Sequence, residues 1–214
     1  MTPLKAWRWW MLGVGSGLAW AACAQPTDPG LTANPAPGYR LDPTHTFVHW
    51  EVLHMDTSTI RGRFDRLQGQ VVFDAAARRL EVGISVDMKS VSTGSAAFDA
   101  VLRGSTLLAT EAHPQAYFTA RQAEWDGEAP RAVKGEITLR GISQPLTLQV
   151  VRWKCGFNPL FRARVCGGDL EATLKRTDFE LHFGTPLVAN EVQLRIQVEA
   201  LPQTSDKAAD AAAR

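Results

Sequence analysis

An arginine near the end of the chain is the residue best suited to bind an anion. Arg176 lies in the segment KRTDFEL, two positions before Asp178. A guanidinium on an inward face would bind a phosphate or carboxylate group in two-point geometry. The alternative is an ion pair between Arg176 and Asp178 that closes one end of the fold. We keep Arg176 as a candidate ligand-binding residue and the pair as the structural alternative.

Three histidines in one stretch are the other candidates for chemistry. His54 shares its strand parity with apolar neighbours, so it could face inward and hydrogen-bond a ligand, or be satisfied as a core or rim residue. His45 and His49 lie four positions apart on the other parity, but a metal site would need a third ligand that the sequence does not place. Serine-hydrolase, zinc-hydrolase, phosphate-loop and dinucleotide motifs are absent. We therefore predict no catalytic residue, no metal and no cofactor, with an enzyme as the least favoured class.

The N-terminus has the pattern of an export signal. Lys5 and Arg8 precede an apolar run at 9–22, which is short and glycine-containing for a membrane span. Small residues around Cys23 then allow cleavage, so we predict that the first 24 residues are a signal peptide. A small-small-Cys end also occurs in lipoprotein signals, so lipidation of Cys23 remains the alternative.

The two remaining cysteines are predicted to form a disulfide. Cys155 and Cys166 are an even pair, 11 positions apart, in a chain predicted to enter an oxidising compartment. Closing such a loop contributes about 2–3 kcal/mol in the chain-entropy model. A two-cysteine metal site is the alternative, and it lacks further His or Cys at ligand spacing.

Most of the chain alternates apolar and polar residues with a period of two. Such segments are strands with one oily face, and many of them joined by short turns predict an antiparallel sandwich or barrel. A barrel would turn every oily face inward without a separate cover. The alternating segments lie at 48–52, 71–73, 80–86, 133–139, 146–150, 170–174 and 192–198.

One segment breaks this rhythm. Residues 92–109 have apolar side chains at mixed helical spacing, with Ser95 or Thr93 as a candidate cap. We predict a short helix and loop over one end or the outer wall. Around the strands, 25–38 is a predicted Pro- and Gly-rich linker, 39–201 the folded domain and 202–214 a flexible tail.

The inward parity defines candidate ligand-binding residues, with core packing as the alternative for each. Small inward residues such as Gly62, Gly135 and Ala172 are expected to leave room, unless the glycines mark bulges. Together with Val82, the candidate wall comprises Val48, Trp50, Val52, His54, Ile60, Phe64, Val71, Phe73, Ile84, Val86, Phe118, Ile137, Leu139, Leu148, Leu194 and Ile196.

An ordered set of segments resembles the YceI-like family. The set begins with YRLDPTHTFVHWEVLH at Tyr39, includes SVDMKSVSTG, HPQAYFTA and VKGEITLRGISQPLTL, and ends with KRTDFEL and NEVQLRIQVEA. The resemblance covers about 39–200. It implies an extended lipocalin-like antiparallel barrel, usually eight-stranded, in the bacterial periplasm, binding a long apolar molecule such as a polyisoprenoid, an isoprenoid quinone or a fatty acid or amide. It implies no catalytic activity and no metal.

The chain departs from that family in the segments expected to contact a head group. Val101 stands where the family usually has His, Thr177 where it has Ser, and Glu180 where it has Gly. The resemblance therefore supports the fold more strongly than the head-group contacts. A partner-binding or envelope-stress module with an incidental lipid is the alternative function.

Charge and targeting limit the expected partners. The formal net charge of +1 gives no electrostatic basis for nucleic-acid binding. We expect a long-chain isoprenoid or acyl lipid as the partner. A homodimer, and membrane association through a lipidated Cys23, are left open.

Overall fold

The structure is a computed structural model, and it describes residues 38–203. Within this range there are eleven strands, one α-helix, α1 (Ala96–Arg103), and two short 3-10 turns (Met88–Ser90 and Arg176–Phe179). The strands are β1 (Gly38–Leu41), β2 (Phe47–His54), β3 (Ser58–Phe64), β4 (Leu67–Asp74), β5 (Arg79–Asp87), β6 (Val91–Ser92), β7 (Gln115–Asp126), β8 (Ala129–Leu139), β9 (Ile142–Asn158), β10 (Ala163–Lys175) and β11 (Val188–Pro202).

Eight strands close into an antiparallel barrel. The order is β1-β4-β5-β7-β8-β9-β10-β11, and β1 also pairs with β11, where Tyr39 lies opposite Pro202. The rest of β11 pairs with β2, which continues through β3 to β6. The predicted all-β barrel of about eight strands with one short helix is therefore confirmed, and the sandwich alternative is excluded.

The period of two sorts the side chains between the inside and the outside of the barrel. Trp50 of β2 lies opposite Leu194 of β11, and both are buried. One position along, Glu51 faces outward and pairs with Arg61 of β3 and Arg195 of β11. Apolar burial thus stabilises the interior, while the outer face carries exposed ion pairs of small individual value.

Helix α1 forms where the strand rhythm breaks. The Ser95 side chain accepts a hydrogen bond from the backbone N–H of Phe98, so Ser95 is the N-cap. Thr93, the other candidate cap, instead donates its hydroxyl to Asp99 at 2.7 Å. Phe98 and Leu102 pack against the core. The apolar side of this helix therefore joins the barrel interior.

The predicted disulfide between Cys155 and Cys166 is present. The two residues lie directly opposite each other in β9 and β10, with their Cα atoms 4.0 Å apart. Cys166 is buried and belongs to the main core cluster. The bond therefore joins neighbouring strands at the barrel wall.

The predicted signal peptide, Cys23 and nearly all of the linker and tail lie outside the described residues. Strand β11 continues through Pro202, the first position assigned to the tail from sequence. Among residues 38–203, no helix has the length and hydropathy needed to cross a bilayer.

Candidate ligand-binding cavity

The barrel encloses a cavity of about 410 Å³. Its wall is formed by the apolar side chains that alternate along each strand. The volume lies within the usual range of ligand pockets. Every residue of the sequence-derived wall borders the cavity, as does Arg176. The geometry thus brings all these residues together, whereas their contact with a ligand stays a prediction. They are Val48, Trp50, Val52, His54, Ile60, Phe64, Val71, Phe73, Val82, Ile84, Val86, Phe118, Ile137, Leu139, Leu148, Leu194 and Ile196.

Further wall residues were absent from that set. Several lie on the same side of their strand as predicted wall residues, so the alternation could have predicted them as well. They are Leu80, Leu146, Leu170, Leu174, Val192 and Val198. Helix α1 and the loop after it add Phe98, Val101, Leu102, Leu107 and Leu108. The helical segment therefore forms part of the cavity wall, which its sequence pattern did not specify.

The inward glycines do not leave the room expected of them. A Cβ on Gly62 would lie 2.7 Å from Cε2 of Trp50 and 2.9 Å from the Ser92 carbonyl oxygen. A Cβ on Gly135 would lie 2.7 Å from Cζ of Phe118. Aromatic rings on neighbouring strands therefore cover these two glycines, so the glycines allow ring packing rather than open space.

Trp50 places a hydrogen-bond donor in the apolar wall of the cavity. The residue is 8% exposed, and its Nε1 has no hydrogen-bond partner among the described residues. A buried indole N–H normally finds an acceptor, because an unpaired polar group costs free energy. An oxygen atom on a ligand is one such acceptor.

Arg176 is buried, and its partners correct the predicted ion pair with Asp178. The residue is 7% exposed. Its Nε, Nη1 and Nη2 donate to the carbonyls of Ala189, Phe183 and Val188 at 2.9, 3.0 and 2.9 Å. These bonds fix the start of β11 and the loop before it. Burial lowers the pKa of the guanidinium from its usual value.

His54 and Arg176 border the cavity near the same residue, Val188. His54 ends β2 opposite Val188 of β11, the residue whose carbonyl accepts from Arg176. Both side chains border the cavity. This part of the wall therefore combines an imidazole with a buried cation that has no carboxylate within 4.0 Å among the described residues.

A second cluster of titratable groups lies away from the cavity. Ligand atoms of Asp42, His45 and Glu199 lie within 4.8 Å of one another, so the third group that the sequence could not place comes from the far end of the chain. His49 is not part of it. His45 Nδ1 is 2.7 Å from Oδ2 of Asp42, and Oδ1 accepts from the N–H and hydroxyl of Thr44. These hydrogen bonds hold the turn that joins β1 to β2, and we call the Asp42–His45 pair the clamp.

The clamp shifts both titratable partners in directions that favour the ion pair. The Asp42 hydrogen bond raises the pKa of His45. Burial acts to raise the pKa of Asp42, but hydrogen bonds from His45 and Thr44 outweigh it, and the net shift is downward. Both shifts favour the charged form of the group concerned, so each partner stabilises the charge on the other.

The comparisons with known proteins agree with the cavity-bearing barrel. Residues 39–200 match the YceI-like domain. This chain belongs to the YceI-like family. Protein YceI of Escherichia coli O157:H7 is 30% identical over 171 residues, covering 78% of this chain and 88% of the relative. A UPF0312 protein of Pectobacterium carotovorum is 31% identical over 160 residues, covering 74% and 82%.

Solved structures share the YceI-like fold at low identity. BcnA of Burkholderia cenocepacia aligns with a TM-score of 0.62 at 22% identity, covering 74% of this chain and 98% of BcnA. A polyisoprenoid-binding domain from Saccharophagus degradans aligns with a TM-score of 0.55 at 16% identity, covering 77% and 98%. At these identities the likeness establishes the fold.

The family departures have structural consequences. Val101 projects from α1 at the cavity border, so an apolar side chain stands where the family usually has His. Glu180 has φ of 58°, a left-handed conformation that suits the glycine usual in the family. The Thr177 hydroxyl accepts a hydrogen bond from the Asn190 side chain at 2.9 Å. The polar side chains that border the cavity include those of His54, Trp50 and Arg176.

Proposed function

We propose that this YceI-like domain is a periplasmic carrier that holds a long-chain isoprenoid or acyl lipid inside its barrel. The observation that carries the proposal is the apolar-lined cavity of about 410 Å³ inside the barrel. Its wall includes Pro130 and Leu139, nine positions apart near the two ends of β8, or about 30 Å of extended strand. A cavity that follows a strand for this distance suits an elongated ligand.

Burial of the apolar chain supplies the main part of the binding free energy. Each methylene transferred from water contributes about 0.8 kcal/mol, so a long chain binds tightly without any chemical step. The Saccharophagus degradans neighbour is described as a polyisoprenoid-binding domain. That description supports the ligand class proposed for this chain.

The polar groups of the wall suit a ligand with oxygen at one end. Arg176 uses three donors on carbonyls, which leaves two N–H groups of the guanidinium for a head group. His54 lies beside it across the β2–β11 pair. We infer a lipid with a carbonyl, carboxylate or phosphate group, bound with that group near His54 and Arg176.

We infer a binding protein rather than an enzyme. Among the described residues, the titratable side chains of the wall are Tyr39, His54, Tyr117 and Arg176, and none of them forms a hydrogen-bonded acid–base pair with another. Proton transfer at a reacting atom needs such groups at hydrogen-bond distance. The proposed activity is therefore sequestration and delivery.

The disulfide supports the proposed export to an oxidising compartment. The Cys155–Cys166 disulfide is typical of periplasmic and secreted proteins. The proposed location, after removal of the first 24 residues, is therefore the periplasm.

A pair of tryptophan substitutions on adjacent positions tests the proposal. Leu148 faces the cavity, and Gln149 faces solvent. Leu148→Trp should occupy the cavity and abolish binding of a long-chain lipid, measured by displacement of a fluorescent fatty-acid probe. Gln149→Trp should bind as the wild type does. If folded Leu148→Trp binds the probe with wild-type affinity, the ligand does not lie in the barrel.

A further inference from the structure

The β9–β10 hairpin projects past the barrel wall. Strand β9 runs to Asn158, but its pairing with β8 ends at Gln149. Strand β10 begins at Ala163, but its pairing with β11 begins only at Cys166. The segment 156–165 therefore has strand partners only within itself.

The disulfide lies at the base of this projection. Cys155 and Cys166 pair directly below it, and three further pairs lead to the turn. A two-stranded hairpin without other support is marginally stable in water. The covalent bond therefore holds the projecting hairpin in place.

The hairpin tip exposes large apolar side chains. Phe157 is 72% exposed, Leu160 is 88% exposed and Phe161 is 40% exposed. Phe157 and Leu160 are the most exposed of the large apolar residues in the described part of the chain. Holding such side chains in water costs free energy, so their clustering on a projecting tip marks an interaction site.

The same hairpin is strongly cationic. The segment 150–168 contains Arg152, Lys154, Arg162 and Arg164 and no acidic residue. Arg152 pairs with Asp169. Within residues 38–203, the other three basic side chains have no carboxylate within 4.0 Å. A partner for this surface must therefore supply negative charge.

We propose that the tip of the β9–β10 hairpin docks the domain on an anionic phospholipid surface. Phe157, Leu160 and Phe161 enter the boundary between head groups and acyl chains, and Lys154, Arg162 and Arg164 contact lipid phosphates. A protein partner fits less well, because a stable protein interface buries about 800 Å² per partner and a ten-residue projecting tip offers little flat surface.

Docking would bring one end of the cavity to the membrane. Trp153, Cys155 and Phe157 alternate along β9 on one face, and Trp153 borders the cavity. The interior face of the barrel therefore continues onto the docking tip. Vesicle binding by the tip is measurable whether or not the cavity takes a lipid, so docking is tested independently of ligand storage.

Vesicle sedimentation tests the docking. All variants carry Cys23→Ser, so that no N-terminal lipid contributes to binding. The chain should sediment with phosphatidylcholine vesicles that contain phosphatidylglycerol, and far less with phosphatidylcholine alone. Added salt should weaken the binding. Phe157→Ser with Leu160→Ser should lower the affinity at least about tenfold.

The matched control removes exposed apolar residues elsewhere. Met55 and Leu187 are also exposed, and neither borders the cavity. Met55→Ser with Leu187→Ser should leave vesicle binding unchanged, and Arg162→Gln with Arg164→Gln should weaken it. The proposal would be overturned if the tip variant bound vesicles as well as the wild type, or if the Met55→Ser, Leu187→Ser control lost as much binding as the tip variant. It would also be overturned if the wild type bound both kinds of vesicle equally or bound neither.

A separate readout distinguishes docking from ligand storage. Lipid occupancy of the Phe157→Ser, Leu160→Ser protein, measured by native mass spectrometry, should equal that of the wild type, because neither residue lines the cavity. Loss of occupancy in this variant with vesicle binding unchanged would show that the tip forms part of the ligand site, and the docking proposal would be wrong.

Discussion

Arg176 shows how one residue serves both fold and site. It contributes a buried positive charge at the cavity, while three of its donors satisfy carbonyls of the segment that enters β11. The ion pair predicted with Asp178 would have used those donors elsewhere. The sequence could not reveal the actual partners, because they are backbone oxygens at the start of β11 and in the loop before it, and a carbonyl oxygen is common to every residue.

Removing the Arg176 guanidinium should destabilise the protein. Arg176→Met leaves buried carbonyls without donors, so we expect the free energy of unfolding to fall by about 2–4 kcal/mol. Urea denaturation measures the change. Arg195→Met is the control, because Arg195 lies on the outer face in exposed ion pairs. An unfolding midpoint equal to that of the wild type would show that these carbonyl contacts contribute little.

A substitution of Trp50 tests whether the ligand has an oxygen atom inside the cavity. Trp50→Phe removes the unpartnered Nε1 donor and keeps an aromatic ring against Gly62. We expect affinity for an oxygen-bearing chain to fall about fivefold, the value of one ordinary hydrogen bond, with little change for a pure hydrocarbon of equal length. Isothermal calorimetry with both ligands measures the difference. An equal loss for both would assign the effect to packing.

The His45–Asp42 clamp predicts a defined pH dependence. Because the pKa of His45 is raised in the folded state, its stabilising contribution is present below the ordinary value of 6.5 and is lost as pH rises through the raised value. His45→Gln should therefore lower Tm at about pH 5.5 and have a smaller effect at about pH 8.5. Thermal melts at both values measure this. A larger effect at the higher pH would contradict the clamp.

The strands show what alternation can and cannot predict. The seventeen apolar and imidazole positions that it predicts for the wall all border the cavity, because each segment keeps one register over its length. The alternation did not predict the inward residues in the second half of β9. The register between β9 and β10 shifts there, because Leu170 pairs with Val150 and Asp169 with Arg152, which leaves Val151 without a partner in β10. After that bulge the inward parity changes from Val150 to Trp153. A bulge is set by neighbouring strands, so the sequence of β9 alone did not reveal it.

Two strand glycines make a matched test of ring packing. A Cβ on Gly62 would overlap the Trp50 ring, whereas a Cβ on Gly83 would meet nothing within 4 Å. Gly62→Ala should lower the free energy of unfolding by about 1–3 kcal/mol, the usual cost of overpacking. Gly83→Ala should be neutral or stabilising, because alanine restricts the unfolded chain. Chemical denaturation of both variants decides the point, and equal values would argue against the ring contact.

At the scale of the whole molecule, closure of the barrel explains both stability and the proposed function. Pairing of β1 with β11 leaves no open edge in the eight-stranded ring, so the apolar faces enclose a common interior. The sequence period favoured either a sandwich or a barrel, and only the long-range pairing of Tyr39 with Pro202 distinguishes them. Whether the interior holds a lipid is a property of the assembled wall, which no single strand specifies.

Native mass spectrometry of the purified protein, followed by organic extraction, tests the central claim most directly. We expect a discrete added mass that extracts as one isoprenoid or acyl species and is missing from Leu148→Trp. A protein that carries no such mass, and that also fails to take up added long-chain lipids, would contradict the carrier function.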